Sequence, residues 1–198
     1  VIRLPYEPEF AIEGWRRDYP ERFTPERPLR VLFVGSATPM KGVPELLKAI
    51  TGLSDVPVVL SLVGAQSMRV PSEFTSHPRI TWCGAVTRQA VMRHYRSSDV
   101  LVFPSRSDGF GMAQVEAQGW SLPIVASKQC GRVVVDGVNG LLLDEVSEAE
   151  IANALRRLAV EPRLLAGMAQ CHARLPRPAE QGRVIGMPRR ASPGPGPA

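Results

Sequence analysis

The stretch Val100-Leu-Val-Phe-Pro-Ser-Arg-Ser-Asp-Gly-Phe-Gly-Met-Ala-Gln-Val-Glu-Ala-Gln-Gly-Trp-Ser-Leu-Pro-Ile-Val-Ala126 carries the pattern that decides the fold. Its first four residues are apolar and β-favouring, as in a strand buried on both faces. They run into a loop holding Gly109 and Gly111, and a helix opens near Gly111. The free N–H groups of a first helical turn, added to the positive end of the helix dipole, make such a junction receptive to a phosphate. Glycines there let the backbone approach it closely. With the helix starting near Gly111, Met112 and Glu116 share one face, and their side chains lean back toward the N-terminus. Glu116 is therefore expected to face the ligand, where a carboxylate can accept from two adjacent ribose hydroxyls.

Working outward, short apolar runs recur at Leu29–Val34, Val58–Val63, Arg79–Trp82, Val100–Phe103, Ile124–Ala126 and Leu141–Leu143, with helix signals between them. Pro44 suits the first turn of a helix ending near Gly52. Ser147-x-x-Glu150 reads as a capping box, after which Ile151, Ala154, Leu155 and Leu158 recur at helical spacing. Strand and helix in alternation predict an α/β doubly wound, Rossmann-like parallel sheet of about six strands, with its ligand beyond the carboxyl ends of the strands. The expected organisation is a connector over 1–28, one domain over 29–173, and a Pro/Arg-rich tail over 174–198 that is expected to be disordered. There is no internal repeat.

The chain has 198 residues, enough for the core of one ordinary domain. Its formal charge of +5 is concentrated in the tail, which holds five arginines against Glu180. The near-neutral body offers no broad footprint for a polyanion, so nucleic acid is not an expected partner. Cys83, Cys130 and Cys171 have no C-x-x-C spacing and one must stay unpaired, which suits a reduced compartment. No run is long and apolar enough to span a bilayer. The expected location is cytoplasmic, with peripheral contact at the inner membrane face left open by the basic tail. His77, His94 and His172 lack ligand spacing, and no Asp-x-Asp pair occurs, so no metal site and no cofactor is expected. A serine hydrolase lacks its G-x-S-x-G elbow, and a dehydrogenase lacks G-x-G-x-x-G after the first strand.

The order Asp108, Gly-Phe-Gly, Glu116 and then Gly119-x-x-Leu-Pro-Ile-Val-Ala126 resembles the two-acid motif of the retaining glycosyltransferase family with GT-B architecture. Val31-Leu-Phe-Val-Gly-Ser36 with Lys41-Gly42-Val43, Leu62-Val-Gly64, Trp82-Cys-Gly84 and Asp136-Gly-Val-Asn-Gly140 resemble further family positions in order, so the likeness covers most of 29–172. It implies the C-terminal, donor-binding half of a GT-B enzyme that moves a sugar from a nucleoside-diphosphate sugar, UDP- or GDP-linked, to an acceptor hydroxyl. The acceptor, a glycan or lipid-linked sugar, would be held by an N-terminal domain that this chain lacks. By the resemblance Lys41 contacts the pyrophosphate, with Gly35 and Ser36 in the same loop. The amides of Phe110, Gly111 and Met112 contact the distal phosphate and sugar, with Gly109 and Val115 in that segment. Asp108 addresses the transferred sugar, Glu116 the ribose, and Ala85 and Val86, just past Gly84, the base. Lys41 and Asp108 are the implied catalytic pair, and no metal is needed. Ser36 and Met40 stand where relatives carry cations, and the loop Ser127–Val135 is short, which keeps a second reading open: a nucleotide-sugar-binding or regulatory module without transfer activity. A sugar-nucleotide epimerase of similar two-domain build fits Gly-Phe-Gly with a downstream Glu less well.

Overall fold

The computed structural model describes residues 16–108 and 111–172. The tail from 174 onward, most of the connector, Gly109 and Phe110 lie outside them.

Six strands form one all-parallel sheet: β1 (Leu29–Val34), β2 (Val58–Val63), β3 (Ile80–Gly84), β4 (Val100–Phe103), β5 (Ile124–Ser127) and β6 (Gly140–Leu143). Their spatial order is β3-β2-β1-β4-β5-β6. The expected strands are thus present, with β3 starting one residue later than the run Arg79–Trp82 suggested. The Arg79 guanidinium instead donates to the carbonyls of Leu53 and, at 2.9 Å, Thr51 at the end of the first helix, where a cation meets the negative end of the dipole.

Helices α1 (Val43–Gly52), α2 (Ser72–Thr75), α3 (Arg88–Ser97), α4 (Met112–Gly119), α5 (Glu148–Val160) and α6 (Pro162–His172) fill the connections. In α1 the buried residues Val43, Leu46, Leu47 and Ile50 keep the spacing of one helical face. They join Leu29, Val31 and Phe33 of β1 and Ile151, Leu155 and Leu158 of α5 in one core cluster. Leu32, between those β1 residues, is also wholly buried, so the central strand is covered on both faces, as a parallel sheet requires. The Ser147 hydroxyl accepts from the Glu150 N–H at 3.2 Å, the first half of the expected capping box.

Residues before β1 pack on this body. Phe23 belongs to the core cluster. Arg17 donates to the carbonyls of Tyr95, Ser98 and, at 2.8 Å, Trp120, and burial pushes its pKa down to about 10. Arg27 and Arg30 close on Asp99, which immediately precedes β4. Among the described residues no helix is long and apolar enough to cross a membrane.

Candidate functional site

The strand order reverses between β1 and β4, where successive crossovers leave in opposite directions, the place at which open α/β sheets hold their ligands beyond the carboxyl ends. The loops leaving these two strands are stitched together. After β1, the Thr38 hydroxyl caps a 3-10 turn at Pro39–Lys41, accepting from the Lys41 N–H at 3.3 Å. Gly42 then turns left-handed, with φ 68°, and a Cβ on it would lie 2.1 Å from the Pro104 carbonyl oxygen of the β4 loop. Only glycine permits that approach. The Arg106 N–H donates to the Met40 carbonyl at 2.8 Å, and its guanidinium reaches Glu45 at 2.7 Å and the Val146 carbonyl at 3.0 Å.

This stitching brings Lys41 to the loop that follows β4. Its ammonium forms an ion pair with Asp108 and lies 5.5 Å from the centroid of the Phe103 ring. The other Asp108 oxygen accepts from the Gly111 N–H at 2.9 Å. Asp108 is itself held by a backbone bridge to Cys130. The Cys130 sulfur sits 3.2 Å from the Ser127 hydroxyl and 3.4 Å from the Ser105 carbonyl, and burial pushes its thiol pKa up.

Gly111 caps α4 in the left-handed region, φ 66°, where a Cβ would meet the Gln114 amide nitrogen at 2.5 Å and the Phe103 ring at 3.1 Å. Met112 is exposed, Val115 is buried in the core, and one turn on from Met112 the Glu116 carboxylate accepts from the Tyr95 hydroxyl at 2.8 Å. Gln114 is wholly buried, and among the described residues neither polar atom of its amide has a hydrogen-bond partner.

Lys41, Asp108 and Gly111 therefore meet in space although 67 residues separate the first two. Gly35 and Ser36 begin the Lys41 loop. Gly84, Ala85 and Val86 lie at the end of β3, the sheet edge, linked inward by the Gly64 N–H donating to the Gly84 carbonyl at 2.8 Å. Gly109 and Phe110 are outside the described residues. Tyr95 and Gln114 were missed by the sequence reading. Tyr95 left a faint trace as the lone aromatic of a polar helix, a ring with a polar tip that buries well only against an acceptor. Gln114 left none. Among the described residues no group of three or more His, Cys, Asp or Glu side chains could hold a metal ion.

An open parallel sheet with a basic side chain and a helix N-terminus converging at its switch point defines a doubly wound, Rossmann-like α/β domain. Residues 28–161 match the family described as glycosyl transferases group 1, and the chain belongs to it. It is 33% identical over 163 residues to the D-inositol 3-phosphate glycosyltransferase of Mycolicibacterium vanbaalenii, covering 72% of this chain and 36% of that protein. The chain thus spans about a third of the length of the curated relatives it matches. Among solved structures it resembles Anabaena HepE in complex with UDP-glucose, with TM-score 0.64, 22% identity, and 79% of this chain and 45% of that one covered. It also resembles the C-terminal domain of the group 1 glycosyl transferase LpcC of Francisella tularensis, with TM-score 0.61, 22% identity, and 72% and 81% covered.

Proposed function

We propose that this chain is the donor-binding domain of a retaining glycosyltransferase and takes a nucleoside-diphosphate sugar, with UDP as the base-bearing half. The observation that carries this reading is the convergence of Lys41 and the α4 N-terminus at the switch point, with Glu116 one helical turn away. Lys41 would neutralise the pyrophosphate as it leaves, while positive charge grows at the anomeric carbon. The first-turn amides of α4 would hold the distal phosphate, Glu116 the ribose, Asp108 the sugar, and the chain past Gly84 the base. UDP-glucose in the HepE complex and the glycosyl-transfer names of the relatives support the substrate class.

Divalent metal is not required in this scheme, since Lys41 and helix amides take the diphosphate charge and no Asp-x-Asp pair is present. The acceptor would be held by a preceding domain. Without it, an open half-cleft cannot supply the several kcal/mol, by order of magnitude, that positioning contributes, so the isolated chain should bind donor yet transfer almost no sugar. The proposed organisation keeps 1–28 as connector and 174–198 as tail, in a cytoplasmic enzyme at or near the inner membrane face. A binding module without transfer activity is the second reading, favoured by Ser36 and Met40 in place of cations and by the Lys41 charge being met by Asp108.

Calorimetric and thermal-shift titration with UDP, GDP and UDP-glucose, with and without a chelator, tests both readings. Bound ligand should raise the melting temperature by mass action, by about 2.7 kcal/mol of stability at a hundred times Kd. No binding by any of the three sinks the donor site. Affinity lost with the chelator sinks metal independence, and brisk transfer to an added acceptor by the 198-residue chain sinks the half-enzyme reading.

A further inference from the structure

We infer that Asp108 is an internal anion that fills the phosphate position of the crevice when no donor is bound, so that donor binding is an exchange of one anion for another. This rests on the reading of the crevice as a diphosphate site. Lys41 and the Gly111 N–H come from the loops of two different strands, yet both converge on one carboxylate, the ammonium on Oδ2 and the amide on Oδ1 at 2.9 Å. A cation and a backbone N–H at the head of a helix, aimed at a pair of oxygens, form the donor set of a bound phosphate.

A diphosphate cannot share those donors with Asp108, because two anions in contact repel where one anion is stabilised. The carboxylate must swing away, and the fold allows it. Asp108 keeps 21% of its side-chain surface exposed and Lys41 26%, so both can be reached from solvent. The backbone of Asp108 is fixed by the bridge to Cys130, and the loop before it by the Ser105 hydroxyl donating to the Ser107 carbonyl at 3.1 Å. Rotation of the Asp108 side chain is thus the route of exchange.

Gln114 adds an independent observation at the same place. Its amide is wholly buried beside Gly111, with both polar atoms unpartnered among the described residues, and its nitrogen lies 2.5 Å from where a Cβ on Gly111 would stand. Native interiors rarely leave such a group unmet. The head of α4 therefore retains hydrogen-bonding capacity that the Asp108 carboxylate does not satisfy.

The test is calorimetry of the full chain with UDP, GDP and inorganic pyrophosphate, comparing the wild type with Asp108→Asn, Asp108→Ser, Lys41→Met and the Asp108→Asn/Lys41→Met double variant. Asn and Ser both keep an acceptor for the Gly111 N–H, so the helix cap survives. The expected result is that both Asp108 variants bind pyrophosphate and the preferred nucleotide tighter by about three- to tenfold, and that the gain disappears without Lys41. Equal or weaker binding by folded Asp108 variants overturns the exchange, as does a gain that persists in the Lys41→Met background. On the unmutated chain, saturating pyrophosphate should shift the Asp108 carboxyl carbon resonance, and an unmoved resonance under demonstrated binding overturns it too. If the wild type binds UDP or GDP while these outcomes fail, the exchange alone is wrong. If no form binds any of the three probes, the donor-site reading falls and the exchange falls with it.

Discussion

Two aspartates flank β4, each facing a basic side chain, and their surroundings are opposite. Asp99, at the amino end, accepts two bonds from Arg27 at 2.7 and 2.8 Å, two from the Arg30 guanidinium at 3.0 and 3.1 Å, and one from the Arg30 N–H at 2.8 Å. Its side chain is 2% exposed. Asp108, at the carboxyl end, is ten times more exposed and is met by the Lys41 ammonium and the Gly111 N–H, with further contact besides. The saturated, closed carboxylate fastens the segment before β1 to the sheet. The open one sits where a ligand can compete for its partners. Coordination and exposure, more than the presence of an ion pair, separate the structural charge from the candidate functional one here.

That contrast is broken most directly by Asp99→Ala. Two guanidinium groups and the Arg30 N–H would lose their shared acceptor, and a loss of about 2–4 kcal/mol is expected. Asp108→Asn should move stability by no more than about 1 kcal/mol, as for a partly exposed pair. Urea unfolding measures both, and similar values would erase the distinction. Acid should act through Asp99 as well. Burial alone would raise its pKa, but the bonds from Arg27 and Arg30 outweigh burial and hold it below the usual carboxylate value. Its contribution is present above the unfolded value, about 3.9, and is lost as pH falls through the lower folded one. An acid-unfolding limb identical in Asp99→Asn would contradict that sign.

Next in size are variants of the proposed donor site. Lys41→Ala and Glu116→Ala should each weaken nucleoside-diphosphate binding by about 1–3 kcal/mol, the range for a charged hydrogen-bond partner. Titration of folded variants with unchanged affinity in both would remove the site from this end of the sheet.

How far these regions could be read in the sequence follows the same divide. The strands and α1, α4 and α5 were legible because apolar periodicity and end signals such as Pro44 and Ser147 are local. Lys41 and Asp108 were proposed as site residues only through their resemblance to a family motif, since nothing local in Lys41-Gly-Val says that it will meet Asp108, whereas Glu116 was proposed from its place on the α4 helix as well. The Asp99 knot was invisible: Arg27, Arg30 and Asp99 look like ordinary surface charges until the sheet order brings the starts of β1 and β4 side by side. Long-range pairing of polar groups leaves no period to detect.

Gln114→Leu sharpens the comparison from within the core. An amide with both polar atoms unmet costs about 1–3 kcal/mol, so an apolar side chain of similar size should raise stability by about 1 kcal/mol after repacking losses. If thermal unfolding shows Gln114→Leu to be destabilised, the amide has a partner in solution, and its support for an unfinished α4 head is withdrawn.

The smallest expected effect is that of Tyr95→Phe. The Tyr95 hydroxyl donates to Glu116 Oε2 from a residue that is 1% exposed, so the bond reaches the carboxylate from inside the protein. An ionised carboxylate offers about four lone-pair sites, and one bond from below leaves room for two ribose hydroxyls from above. In the proposed donor site the hydroxyl would therefore orient Glu116 without competing with the ribose. Removing it should cost about 0.5–1.5 kcal/mol of stability, the usual net worth of a hydrogen bond. It should weaken UDP binding only about two- to threefold, because Glu116 keeps its charge and loses only its fixed rotamer, for which about 0.5 kcal/mol of ordering must then come from the ligand. Uridine, which carries the ribose without phosphates, should show the same factor, while pyrophosphate should show none. A loss of pyrophosphate affinity in Tyr95→Phe would mean that Glu116 and the Lys41–Asp108 pair are one coupled unit, and tighter UDP binding would mean that Tyr95 holds Glu116 away from the ribose.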